Sequence, residues 1–359
     1  MLGYCIFKRY NYITMVNKSI ALTLALVASI FTSHPASAAE PVVGAGSSFI
    51  ANYLEACRIS YAKTTGNSIS YSSLGSGAGR TQITAKVVDF AGTDTPFASG
   101  ESKPAGIVYV PFIAGPIGIM YRLDGYNKPI QLKKTTLANI FAGNITKWND
   151  KAIVADNTIK GVKPKLPSTS LRIAYRADGS GTTQIFTEYL NAVAPKIWSK
   201  APGKDFRTVA PNGVGILSQS GSGSHGVTMI ARQMNGVITY AESSYATGLK
   251  LALIENGAGK FIAPTSAGAS EFLSDFEPGA NGLIKANYNN KNPKAYNISA
   301  FSYIVALKES SPKNAAVKEF LSYSVNKCNK EAVATGYSPL TGSVLAIAKA
   351  KIAEISSGE

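Results

Sequence analysis

Three segments of the sequence share one design, in which a run of small residues leads into a helix with one apolar face. The runs are Gly44–Ser48 (GAGSS), Leu74–Gly79 (LGSGAG) and Gly179–Thr183 (GSGTT). After the first and third runs, apolar side chains recur at spacings of one, four, five and eight residues, which places them on one helical face. Short β-rich runs alternate with these helical patterns, so the sequence predicts an α/β fold.

Strand-like and helix-like patterns continue along the chain, without an internal repeat or a low-complexity linker. The predicted strands are Ile69–Ser72, Gly106–Val110, Gly118–Tyr121, Arg172–Tyr175, Ile238–Tyr240 and Ser302–Leu307. The predicted helices are Phe49–Tyr61, Thr135–Phe141, Thr183–Val193, His225–Asn235, Ala269–Asp275, Lys313–Asn326 and Gly342–Ile355.

The small-residue runs place helix N-termini where a ligand can approach the backbone. The free N–H groups and the positive end of the helix dipole, about half a charge, favour an anion there. A single run of this kind is more typical of an ordinary N-cap or turn. Three such runs, with Arg176 and Asp178 directly before the third, indicate an anion site.

Residues 1–38 have the pattern of a secretory signal. Three positive charges and an apolar stretch, Ile20–Phe31, precede the small-residue motif Ala36–Ala38. The apolar stretch is shorter than the roughly 20 residues that a membrane span needs. Either Met1 or Met15 fits as the start of this signal, and a retained amphipathic anchor is the alternative. We expect export to the periplasm, or secretion, after cleavage near Ala38.

Beyond this segment the chain keeps 33 basic and 21 acidic residues, a net charge of +12. A surplus of this size attracts anions. The lysines are scattered, however, and lack the interleaved aromatic residues of a nucleic-acid groove, so nucleic-acid binding is not predicted.

The residues of the common hydrolytic and metal sites are missing from the sequence. Beyond the signal, the one histidine is His225, in the run SGSGSHGVT, where it favours a structural or capping role. There is no G-x-S-x-G elbow, nucleotide phosphate loop, C-x-x-C or H-E-x-x-H motif. The sequence therefore predicts a binding protein rather than an enzyme, with neither a metal nor a cofactor.

Four ordered motifs resemble the phosphate-binding protein of the high-affinity phosphate ABC importer, and the match extends over nearly the whole chain after the signal. They are GAGSSF, SLGSGAGRTQI, VDFAGTDTPF and YRADGSGTTQIFTEYL; IFAGNITKWND, NGVITYAESSYA and YSPL fit as well. The resemblance implies a type II periplasmic-binding-protein fold. In that fold two α/β lobes are joined by two crossing segments, and the ligand lies in the cleft between them.

The resemblance also implies domain boundaries. The crossings are expected near Phe112–Ile119 and Asn297–Ile304, with lobe 1 at residues 39–114 and 301–359 and lobe 2 at 115–300. Cys57 and Cys328 would then share lobe 1, which favours a disulfide in an oxidising compartment. Two buried free thiols are the alternative.

The same resemblance assigns roles to the residues that match its motifs. Donors to phosphate are the hydroxyl of Ser48, the N–H of Phe49, the hydroxyl of Ser76, the guanidinium of Arg176, and Ser180, Gly181 and Thr182 at the head of a helix. Asp94 is the lone carboxylate of the site, and Asp178 is the ion-pair partner that holds Arg176.

An acid beside an anion needs a physical reason, because like charges repel. An ionised carboxylate only accepts hydrogen bonds, so Asp94 would attract a protonated phosphate oxygen and repel fully ionised sulfate. The alternative for Asp94 is a turn carboxylate before Thr95. Two positions depart from the family pattern: Ser47-Ser48 replaces Ala-Thr, and Arg80 stands where small or apolar residues are commoner. Arg80 would either add charge at the cleft mouth or face solvent.

These observations predict a monomeric receptor that captures inorganic phosphate and delivers it to the permease subunits of an ABC transporter. A binder of another oxyanion, such as sulfate, molybdate or a phosphonate, is the first alternative. An exported phosphatase or a phosphate-dependent adhesin is the second.

Overall fold

The computed structural model describes residues 41–215, 217–274 and 276–356. The predicted signal at residues 1–38 lies outside these ranges, so it stays a prediction. Within the described ranges, no helix combines the length and the apolar character that a membrane crossing needs.

The strands of the described chain alternate with helices for most of its length. The strands are β1 Val42–Gly46, β2 Ile69–Ser73, β3 Phe90–Thr93, β4 Ile107–Tyr121, β5 Gln131–Leu132, β6 Arg172–Arg176, β7 Gln219–Gly221, β8 Val237–Glu242, β9 Lys250–Leu251, β10 Leu253–Glu255, β11 Phe261–Ile262 and β12 Ser299–Leu307. The helices are α1 Ala51–Thr65, α2 Ser76–Thr84, α3 Lys134–Phe141, α4 Lys151–Asp156, α5 Gly181–Val193, α6 Phe206–Val209, α7 Gly223–Gln233, α8 Ser266–Leu273, α9 Pro312–Lys327, α10 Asn329–Ala334 and α11 Gly342–Ala353, with a 3₁₀ turn at Ser243–Ala246.

Most predicted elements match observed ones, but two predicted strands were wrong as separate elements. Gly106–Val110 and Gly118–Tyr121 belong to one strand, β4. The intervening Gly115-Pro116 reads as a turn in the sequence. The backbone nevertheless stays extended there, because β12 pairs with β4 up to and including Gly115 and Pro116, and β8 pairs with it from Ile117 onward.

The large sheet is mixed, in the order β2-β1-β3-β12-β4-β8-β6-β7, and β9 also pairs with β4. Strands β1, β2 and β3 run parallel and form the first strand group. Strands β6, β7 and β8 also run parallel and form the second strand group. A smaller sheet has the order β11-β10-β5.

The two strand groups point their carboxyl ends toward the middle of β4. At the end of β3, Thr93 pairs with Tyr303 of β12, which in turn pairs with Pro111 of β4. At the end of β8, Glu242 pairs with Ile117 of β4, and β8 runs antiparallel to β4. The loops that leave both groups therefore converge, which is the place where open α/β sheets bind ligands.

The C-terminal helices are fastened to the first helix of the described chain. Cys57 in α1 and Cys328, between α9 and α10, form a disulfide across a sequence separation of 271 residues. Tyr61 of α1 packs edge-on against Phe320 of α9, with ring centroids 5.3 Å apart. The first and last parts of the described chain thus share one core.

Candidate anion-binding site

Asp94, directly after β3, lies at the centre of the converging loops and is only 4% exposed. Its Oδ1 accepts hydrogen bonds from the hydroxyls of Ser47 and, at 2.7 Å, Ser302. Its Oδ2 accepts from Ser76 at 3.3 Å and from Thr182 at 3.1 Å. Burial raises the pKa of the Asp94 carboxyl, although these hydroxyl bonds act in the opposite direction. The result is a buried carboxylate ringed by rotatable hydroxyl groups.

Arg176, the last residue of β6, is 2% exposed and carries the positive charge of this region. Its Nε donates to Asp178 Oδ1 at 2.8 Å, and its second guanidinium nitrogen donates to Oδ2. The N–H of Gly223, at the start of α7, also donates to Asp178 Oδ1 at 2.9 Å. Burial acts to raise the pKa of Asp178, but the bonds and charge of Arg176 outweigh it and lower that pKa. Asp178 therefore holds the guanidinium in a fixed fork, as the sequence predicts.

The third small-residue run forms the head of α5 and faces Asp94. Ser180 is the N-cap, and its Oγ accepts from the Thr183 N–H at 3.0 Å. A Cβ on Gly181 would lie 2.5 Å from Ser76 Oγ and 2.8 Å from Asp94 Cβ, so only glycine fits this contact. The head of α5 thus lies directly against the loops of the first strand group.

The first small-residue run behaves differently from its sequence description. Gly44 and Gly46 belong to β1, and the loop proper is Ser47-Ser48. Ser48 Oγ lies 2.9 Å from Ser224 Oγ and accepts the Ser224 N–H at 3.0 Å. The Phe49 N–H donates to Ser47 Oγ at 3.0 Å. Of the two serines, Ser47 contacts Asp94, and Ser48 contacts the head of α7.

The sequence prediction missed Ser47, Ser224 and Ser302 as parts of this constellation. A signal for Ser224 is present, because SGSGSHGVT is a fourth small-residue run that leads into a helix. That run was used only to assign a structural or capping role to His225, which is exposed in the structure. Ser302 lies inside a hydrophobic strand, and only the pairing of β12 with β3 and β4 brings it to Asp94.

Arg80 does not face solvent, so that reading of it was wrong. Its side chain is 1% exposed and forms an ion pair with Glu101, Nε to Oε1, at 2.9 Å. A terminal nitrogen donates to Thr93 Oγ1 at 2.9 Å and to the Thr95 carbonyl at 3.3 Å. Arg80 thus ties α2 to the two residues that flank Asp94.

A second buried carboxyl, Glu242, ends β8 beside the same loops. It accepts from the N–H of Ser244 at 3.0 Å and from the hydroxyls of Ser243 and Ser244. Asn52 of α1 donates through Nδ2 to Ser244 Oγ at 2.7 Å. Burial raises the pKa of Glu242 to about 7, despite these hydrogen bonds.

The raised pKa of Glu242 predicts that the contribution of this carboxyl to the free energy of unfolding falls as the pH rises. The pKa of this carboxyl is about 4.5 in the unfolded chain and about 7 in the folded protein. Its contribution is therefore complete below pH 4.5 and is lost as the pH rises through 7, a change of about 3 kcal/mol. Glu242→Gln, which cannot ionise, should remove this slope in urea denaturation series at several pH values. An equal slope in both proteins would contradict the assignment.

Chemically, the region combines the Arg176 guanidinium with many neutral donors and with the Asp94 carboxylate as an acceptor. The donors are hydroxyls and the N-termini of α2, α5 and α7, all suited to a desolvated oxyanion. Asp94 is the acceptor, suited to a ligand that still carries a proton. Across residues 41–215, 217–274 and 276–356, no group of three or more His, Cys, Asp or Glu side chains is placed to hold a metal ion.

Comparison with known proteins gives one family. A family model for the PBP superfamily domain matches residues 32–327. The phosphate-binding protein PstS of Xylella fastidiosa (strain 9a5c) is 33% identical over 306 residues, covering 83% of this chain and 81% of the relative. PstS of Haemophilus influenzae is 33% identical over 326 residues, covering 88% and 94%.

Solved structures agree on the fold. PfluDING, described as a high-affinity periplasmic phosphate-binding protein bound with phosphate, superposes with a TM-score of 0.71 at 19% identity, covering 86% of this chain and 93% of that one. A phosphate-binding protein from Stenotrophomonas maltophilia gives 0.65 at 18% identity, with coverage of 86% and 93%. The predicted type II fold and the predicted resemblance are both confirmed. The chain belongs to the PBP superfamily and, within it, to the family of PstS phosphate-binding proteins.

Proposed function

We propose that this protein captures inorganic phosphate and delivers it to the permease subunits of a phosphate ABC transporter. The observation that carries the proposal is the ring of hydroxyls around Asp94, with Arg176 and three helix N-termini beside it. A dehydrated tetrahedral anion needs this number of donors, and its remaining proton needs one acceptor. The names of the PstS relatives point to the same ligand.

Within the proposal, the binding groups are those that the family motifs match. Arg176 donates to phosphate through the edge of the guanidinium that Asp178 leaves free. The other donors are Ser48, Phe49, Ser76, Ser180, Gly181 and Thr182, and Asp94 accepts the phosphate proton. Ser48 would exchange its bonds to Ser224 for bonds to the ligand.

We also propose the two-lobe division at residues 39–114 with 301–359, and 115–300. It is supported by the sheet order, since β4 and β12 lie between the first and second strand groups. Phosphate would then bind groups from both lobes at once. Because only the closed arrangement offers all of these groups, binding would shift the population toward it.

The protein is proposed to act as a monomer in the periplasm, or after secretion, without catalysis. Support for a transport role comes from the PstS relatives and from a receptor-type structural neighbour, described as an ABC-type phosphate transport receptor from Vibrio cholerae, with a TM-score of 0.52. The absence of a nucleophile–base pair from the sequence motifs fits a receptor better than a phosphatase.

Isothermal titration calorimetry with phosphate tests the proposal directly. We expect one site per chain and a strong preference for phosphate over sulfate and molybdate. Tighter binding of sulfate or molybdate would select the other-oxyanion reading. No heat with phosphate, or turnover of a generic phosphomonoester, would contradict the proposed function.

A further inference from the structure

A tight β-hairpin projects from the segment between α4 and β6. The Ile159 N–H donates to the Val162 carbonyl at 3.2 Å, and the Val162 N–H donates back at 2.9 Å. Lys160 and Gly161 connect them, with φ values of +50° and +80°. Two residues with positive φ form a type I′ turn, the usual connection of a two-residue hairpin. We refer to residues 159–162 as the IKGV hairpin.

The IKGV hairpin exposes two large aliphatic side chains on one face. Ile159 is 60% exposed and Val162 is 72% exposed. Directly opposed residues in a strand pair point to the same side, so the two side chains form one patch. In the described part of the chain, a Cβ on Gly161 would meet nothing within 4 Å, so no other described residue covers the turn.

Lysines surround this patch without balancing acids. Lys128, Lys163 and Lys165 line the same groove of about 820 Å³ as Ile159 and Val162. Among the residues that the structure describes, no Asp or Glu lines the groove. Within the described chain, none of these lysines forms an ion pair, and neither does the turn residue Lys160. The surface thus consists of two exposed aliphatic side chains surrounded by positively charged lysines.

We propose that the IKGV hairpin docks the protein on an anionic phospholipid surface. Ile159 and Val162 would enter the headgroup region, while the four lysines contact lipid phosphates. Exposed aliphatic side chains among lysines favour a bilayer over an acidic protein, because an anionic bilayer interface offers both an apolar phase and phosphate groups. This role goes beyond phosphate binding, and it would hold the protein near the membrane.

Vesicle co-sedimentation tests the proposal. The protein is purified after cells have exported it, in its processed form. The vesicles are phosphatidylcholine with and without phosphatidylglycerol, at low and at physiological salt. We expect binding only with phosphatidylglycerol, weakened by salt. The triple variant Lys160→Gln, Lys163→Gln, Lys165→Gln should bind about 100-fold more weakly, at about fivefold per lysine. Ile159→Ser with Val162→Ser should also weaken binding, but with little change in its salt dependence.

The matched control removes three other exposed lysines through Lys196→Gln, Lys330→Gln and Lys349→Gln. It has the same net charge as the hairpin variant and should bind nearly as well as the wild type. An equal loss in both triple variants would show non-specific attraction and overturn the proposal. Absence of vesicle binding by the wild-type protein would also overturn the proposal. If the hairpin variants then impaired phosphate uptake in cells, the hairpin would instead contact a protein partner. Phosphate affinity should be unchanged in every variant, so this result is independent of the proposed function.

Discussion

Arg176→Ala is expected to weaken phosphate binding by about 1000-fold, or about 4 kcal/mol. Arg176 is buried, and its positive charge acts on the Asp94 carboxyl at the centre of the hydroxyl ring. Its removal would take away the proposed charge-assisted bonds to the ligand, and it would also leave Asp178 without its fork, with the Gly223 N–H still in place. That uncompensated carboxylate would then repel the anion. Calorimetric titration with phosphate measures the loss.

Two further variants separate these causes. Arg176→Lys keeps the charge but loses the planar fork, so an intermediate affinity is expected. Arg176→Ala combined with Asp178→Asn removes the repulsive carboxylate and should recover part of the loss. Circular dichroism melts check that each variant folds. Wild-type affinity in a folded Arg176→Ala protein would remove this residue from the site.

Asp94→Asn is expected to lower the discrimination between phosphate and sulfate by about 1000-fold. In the proposed site, an ionised Asp94 accepts a proton-bearing oxygen and repels an anion that has none. Asparagine has nearly the same shape and keeps partners for the surrounding hydroxyls, but its amide can donate to sulfate. Competition calorimetry with both anions gives the ratio of affinities.

Ser76→Ala provides the matched control for Asp94→Asn. It removes a neutral donor that lies 3.3 Å from the same carboxylate. Both anions should then bind more weakly by a similar factor, and their ratio should stay constant. If Asp94→Asn also left the ratio constant, selectivity would have to come from another group.

The charges around Arg176 explain how one arginine is enough for the proposed phosphate site. Asp178 receives three donors, two from Arg176 and one from the head of α7. This fixes the guanidinium before any ligand arrives and shares its charge, so neutral dipoles contribute much of the proposed affinity. The sequence left two alternatives open for Arg80. In the structure its guanidinium pairs with Glu101 and donates to the segment around Asp94.

Much of the fold was predictable because its signals are local. Small residues before amphipathic helices identify α1, α2 and α5, since capping and apolar spacing act within a few turns. The single strand β4 was not predictable. Gly115-Pro116 is locally a turn pattern, and only pairing with two distant strands keeps it extended.

The sequence by itself determined the α/β class and the helix N-termini, and the family resemblance added the pairing of Arg176 with Asp178; all of these depend on residues close in the chain. The tertiary structure decided which of these groups meet. Ser47, rather than Ser48, contacts Asp94, Ser224 reaches Ser48, and Ser302 completes the hydroxyl ring. The physical reason is strand order: β12 and β4 separate two parallel groups whose carboxyl ends face one another, and no local pattern encodes that arrangement.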